Sequence, residues 1–159
     1  MSKFLLILHV LAAIVAVGPV TVAASRFPQE ARRALADPDD PGAASTVRQL
    51  HRICVAYAWV GTAVPILGIA TGASMGVLSS TWLTVSMMLT ALAVVVLGGL
   101  IVPGQSAVVA CLYAPKTDAA PLPGREATVR LAMLTGVFNL LWVTVTVLMV
   151  VRPGSTTGA

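Results

Sequence analysis

Charge is what this sequence lacks. Between Ile53 and Pro115 there is not one Lys, Arg, Asp or Glu, a run of 63 residues. A single helix of that length would extend about 95 Å, roughly three times the hydrocarbon core of a bilayer. The run therefore has to fold back on itself. Its one dense stretch of small and turn-forming residues, Thr71-Gly-Ala-Ser-Met-Gly-Val-Leu-Ser-Ser80, marks where. Only 10% of the chain is charged and 57% is hydrophobic, against about 25% charged in ordinary globular proteins. A water-soluble domain is excluded. Aromatic residues are also scarce at 5%, which favours close helix packing over a bulky aromatic core. No acidic residue falls in an apolar span, so a proton or cation pathway of the carboxylate kind has no carrier. Internal repeats are absent, and the only compositional bias is toward Ala and Val.

What is present then reads as one polytopic membrane domain over residues 1–159, all-α, with four transmembrane helices in a bundle. The spans are placed at about 4–24, 53–73, 81–113 and 131–151. The first carries His9 as its only ionisable side chain. A secretory signal peptide competes there, with Val22-Ala23-Ala24 as its cleavage box, but the apolar run is longer than a usual signal core and predicts a retained helix. Residues 25–46 form the one substantial polar loop. Within it, Pro28 to Ala36 predicts a short separate helix along the membrane surface, with Pro at its first position. Asp37-Pro-Asp-Asp-Pro-Gly42 ends that helix, and Ser45 or Thr46 caps the next. Pro65 and Pro103 each follow a glycine by four residues, and Gly98-Gly99 predicts a bend in the third span. Gly68, Gly72 and Gly76, four apart, lay a smooth stripe along the second helix for close packing.

The net charge is +4. Nucleic acid is excluded as its cause, because the basic residues lie in loops and at span ends without interleaved aromatics. Orientation explains it better. The first and third loops with their flanking helix ends hold Arg26, Arg32, Arg33, Arg48, Arg52, Lys116, Arg125 and Arg130, which makes eight, while Lys3 and Arg152 make two elsewhere. That excess predicts both basic loops, 25–52 and 114–130, on the cytoplasmic side of a cell (inner) membrane, and both termini outside, N-out/C-out. The seven arginines, apart from Arg152, are candidates for lipid headgroup contact as well as orientation.

Few side chains could carry chemistry. His9 is the one candidate for binding a cofactor, haem or quinone; the competing role is a neutral hydrogen bond to a neighbouring helix. His51 lies about 20 Å away in depth, so the two cannot clamp one haem within this chain. His51, Cys54 and Cys111 are weak candidates for a soft-metal site, without a fourth ligand and at no recognised spacing. Gln105 and Asn139 suit hydrogen bonds between helices.

The stretch Leu6-Ile-Leu-His9-Val-Leu-Ala-Ala-Ile-Val-Ala-Val-Gly18 resembles the opening helix of a family of small four-helix integral membrane proteins. It also resembles the first helix of the copper-resistance membrane proteins and of the haem-containing membrane protoporphyrinogen oxidase. That second resemblance implies haem ligation by His9. The chain departs from both at Ala16, where those families carry Trp. The Ala/Val/Arg-rich style resembles proteins of high-GC bacteria, where such bundles serve as accessory subunits of respiratory supercomplexes. The expectation is therefore a non-catalytic accessory or assembly subunit, with lipid and other membrane subunits as partners and no soluble substrate. The alternative is a haem- or quinone-handling membrane redox protein using His9.

Overall fold

A computed structural model describes residues 2–114 and 124–154. Among these residues every regular element is helical. Helix α1 covers Ser2–Ala36, α2 Pro41–Gly61, α3 Ala63–Met75 and α4 Thr81–Val94. A π-helical segment, Val95–Ile101, joins α4 to α5, Val102–Leu112, and α6 covers Arg125–Val151. The helices group into four rods, 3–36, 41–75, 81–112 and 125–151, each long and apolar enough to cross a membrane. The Pro-rich loop expected at 114–124 lies almost wholly outside the described residues, as does the tail from Ser155.

Each rod packs on the next in chain order, and α6 closes the ring against α1. Antiparallel neighbours follow from the short connections. At one end, Gly76 closes α3 in the left-handed conformation at φ 69°. The Val77 amide then donates to the Gly72 carbonyl at 3.1 Å, a helix stop that glycine supplies without Cβ strain. At the other end Asp40 caps α2, its Oδ1 accepting from the amides of Gly42 at 2.8 Å and Ala43 at 3.1 Å. Pro41 stands at the first helical position, where no amide is needed. Ser45 and Thr46, expected as caps, instead donate back to the Gly42 carbonyl.

The largest correction concerns α1. It does not stop at residue 24 and restart on the membrane surface; it runs through Pro19 and Pro28 without a break. At 35 residues it is about 52 Å long, some 20 Å more than a hydrocarbon core requires. The extension is held by its own apolar stripe. Phe27, Ala31 and Ala34 recur at helical spacing and pack against Ala43 and Val47 of α2, Val108 of α5 and Leu131 of α6. A second core lies further along the bundle, around Val20, Ala24, Cys54, Val96, Ile101 and Phe138. The bundle thus has two stacked cores, one beneath the apolar belt and one between the charged helix ends. Likewise α2 begins at Pro41 and α6 at Arg125, both earlier than the apolar spans alone indicate.

Proline in a helix leaves the carbonyl four residues earlier without its amide donor. Pro28 does this to Ala24, whose carbonyl receives the hydroxyl of Thr135 from α6 at 3.4 Å. Both residues are buried, so the defect in α1 becomes a tie between the first and last rods. Several other hydroxyls bond within their own helix, as Thr71 to Leu67, Ser86 to Trp82 and Thr90 to Ser86. That back-bonding keeps them satisfied where no water reaches.

Candidate functional site

His9 is partly buried on α1 and its Nδ1 lies 3.0 Å from the Val64 carbonyl of α3. Nδ1 carries the proton in that bond, because a carbonyl can only accept. The ring can come so close because of Gly68. A Cβ built there would stand 3.1 Å from His9 Cε1 and 3.5 Å from Nδ1. Part of the glycine stripe is therefore a seat for an imidazole. Gly72, one turn on, faces Leu83 and Leu78 at 2.9 and 3.3 Å from the same construction. Gly76 is the helix stop already described.

One prediction follows from the His9 geometry. Replacing His9 with Leu removes the bond and lowers the thermal midpoint by the equivalent of about 1 kcal/mol, whereas Gln, which keeps a donor, stays near wild type. Thermal unfolding of the two variants in one detergent checks it. Equal losses in both would mean that the imidazole does more than donate to Val64.

At the charged end of the bundle a second polar group forms. His51 Nδ1 lies 3.3 Å from Gln105 Oε1, and its Nε2 lies 3.2 Å from Ser106 Oγ. Gln105 is 1% exposed, and its amide donates to Cys54 Sγ at 3.5 Å. The amide thus ties α2 to α5 through both its ends. Gln105 and Ser106, not Cys111, occupy the face that His51 and Cys54 share. Cys111 stands six residues beyond Gln105, about 9 Å along the axis. Both cysteines are free thiols, and among the described residues no three His, Cys, Asp or Glu gather as metal ligands.

Asn139 donates through Nδ2 to Ser25 Oγ at 3.2 Å, linking α6 to α1. Its Oδ1 is enclosed without a partner among the described residues, as is the indole N–H of Trp142 one turn later. Thr135 and Ser106 are the cross-helix partners that composition did not single out. For Thr135 a signal existed, since a helix carrying Pro28 must free the Ala24 carbonyl.

The seven candidate arginines are all exposed. Arg26 pairs with Glu30 at 3.9 Å and Arg33 with Asp40 at 4.0 Å, each an exposed guanidinium on a half-buried carboxylate. Arg48 lies over the Tyr113 ring, 5.3 Å from its centroid, joining the start of α2 to the end of α5. At the opposite end Arg152 lies 5.7 Å above the Trp82 ring and donates to the Met149 carbonyl. Each end of the bundle therefore has a cation held on an aromatic face between two rods. No carboxylate pairs with Arg32, Arg52, Arg125 or Arg130 among the described residues. The seven candidate arginines lie in the turn-end segments of α1, α2 and α6, with Arg152 at the opposite end.

Four long apolar rods, buried polar groups bonded between helices and one basic end define a multi-pass helical membrane protein. Comparison with protein-family models, curated proteins and solved structures finds no match to this chain.

Proposed function

We propose that this chain is a non-catalytic integral membrane subunit that serves the assembly or stability of a larger membrane complex, for which a bacterial respiratory supercomplex is the proposed setting. One observation carries the reading: both histidines bond other helices of the same chain, His9 to Val64 and His51 to Gln105 and Ser106. These are the side chains best suited to chemistry inside the membrane, and they hold the bundle together. The lipid-side surface supports a partner as well. On α1, which packs on α3 among other helices, Phe4, Ile7, Leu11 and Ile14 are exposed between 53% and 70%. Native electrophoresis after mild solubilisation tests the proposal, with an epitope on this chain migrating in a high-mass complex. Migration at monomer mass, together with a Soret band that is lost in His9→Gln, would replace it with haem binding, the reading that the resemblance to the oxidase implies.

In the same proposal the guanidinium end faces the cytoplasm of the cell membrane and both termini face outward. The eight-to-two distribution of basic residues supports that orientation, and exposure of all seven arginines suits contact with lipid phosphates. A cysteine introduced at Asp39, in the turn between α1 and α2, should react with a membrane-impermeant maleimide only after permeabilisation. Labelling in intact cells would reverse the topology.

A further inference from the structure

The charge-free stretch has two edges, and the fold brings them to one depth. It begins at Ile53, directly after Arg52 of α2, and ends at Pro115, two residues after Tyr113 at the end of α5. Three contacts match the two helices: Arg48 with Tyr113, His51 with Ser106 and Cys54 with Gln105. Numbers rise along α2 as they fall along α5, so the two run antiparallel. Arg48, Arg52 and Tyr113 therefore stand together where the apolar span gives way to the headgroup region.

Arg48 and Arg52, four residues apart, are neighbours on one helix face, and both are exposed. Arg48 rests on the Tyr113 ring, 5.3 Å from its centroid. A guanidinium held by its face keeps its in-plane N–H donors for another partner. Among the described residues no carboxylate pairs with either arginine, and neither α2 nor α5 contains an Asp or Glu. His51, between the two in sequence, bonds Gln105 and Ser106. Two like charges one turn apart repel, and an anion seated across both removes the repulsion. Deeper in the membrane the same helices expose Ala56 on α2 and Pro103 and Ala107 on α5, an uncharged surface along which acyl chains can lie.

We propose that Arg48 and Arg52, with the Tyr113 ring as platform, bind the phosphate of one anionic phospholipid where α2 meets α5. A zwitterionic headgroup fits less well, because it carries its own ammonium toward two uncompensated cations. The proposal rests on the reading of these arginines as headgroup ligands, and adds to it one site and one class of lipid.

The test uses the full chain, delipidated in a neutral detergent and titrated with phosphatidylglycerol, with bound lipid counted by native mass spectrometry. One tightly held phosphatidylglycerol per chain is expected, and phosphatidylcholine should bind at least tenfold more weakly. Arg48→Gln/Arg52→Gln should weaken the first lipid at least tenfold, at about fivefold for each cation near an anionic surface. Arg125→Gln/Arg130→Gln, which removes the same charge from α6, should stay within about twofold. Tyr113→Leu keeps both cations but removes the platform, and should weaken binding by about two- to fivefold. Wild-type thermal midpoints show that each variant is folded. Equal losses in the two double variants would overturn the proposal, leaving lipid contact spread over the basic residues. Phosphatidylcholine bound as tightly as phosphatidylglycerol would overturn it too. A folded wild-type chain that retains neither lipid would remove the headgroup reading itself, and leave the arginine pair to an acidic segment of another protein. Micelles have no sides, so none of these results bears on the labelling test of orientation.

Discussion

Phe27→Ala will lower the thermal midpoint more than truncation of any lipid-facing side chain. Phe27 is 0% exposed at the centre of the core between the charged helix ends, among Ala31, Ala34, Val47, Val108 and Leu131. Its neighbours on α1 are alanines, which have no rotamers with which to close the space a phenyl ring leaves. Truncations of this kind cost about 3–5 kcal/mol. For a chain of this size that corresponds to a fall of about 6 °C or more. Val22→Ala provides the contrast. Val22 lies on the same helix but is 61% exposed, so its loss should stay within about 0.5 kcal/mol. The comparison also separates two placements of residues 25–36. If this segment lay along the membrane surface, Phe27 would face lipid and its truncation would resemble that of Val22. Equal midpoints for the two variants would restore that placement.

How α1 escapes a sequence reading is instructive. Pro28, just past the polar pair Ser25-Arg26 and Phe27, is a sound signal for a new helix, because proline suits a first turn and breaks an interior one. Here two tertiary facts outweigh the local rule. Thr135 supplies a donor to the carbonyl that Pro28 orphans, and Phe27, Ala31 and Ala34 find an apolar partner face on α2. Both facts belong to other rods, so residues 25–36 alone cannot show them. The four spans, by contrast, were legible from the missing charges, and the turn near Gly76 from its run of small residues. Those signals are local and report on solvent, not on partners.

The polar group around Gln105 was half legible for a related reason. His51 and Cys54, three residues apart, share a face by helical geometry, and Gln105 was expected to bond between helices. Which residue of the third rod meets that face depends on its rotation, and the π-helical segment resets it. A π-turn takes in an extra residue, turning everything after Ile101 by about 100° relative to a regular helix. Gly98-Gly99 and Pro103 announced a bend there. They did not announce its width, and so the rotation that turns Gln105 and Ser106 toward His51 and Cys54 was not legible.

The glycine stripe leads to the second large effect, at Gly72. Substitution by Leu should destabilise the hairpin of α3 and α4 by about 1–3 kcal/mol, the usual range for overpacking. Gly72 is buried, and its missing Cβ would already stand 2.9 Å from Leu83 Cδ2 and 3.3 Å from Leu78 Cδ2. Leu83 is only 3% exposed and cannot swing into lipid without opening the interface. Alanine at the same position is a milder test. It meets only leucine tips, and its better helix propensity, about 1 kcal/mol over glycine, offsets the shift they must make. Gly72→Ala should therefore stay near wild type while Gly72→Leu falls. The helix stop sharpens the contrast, since the Gly72 carbonyl also receives the Val77 amide; moving α3 away from α4 strains the turn that joins them. Thermal midpoints and the yield of folded protein in the membrane fraction read out both variants. A leucine variant as stable as wild type would mean that Gly72 faces lipid, and that the stripe contributes to packing only where Gly68 seats His9.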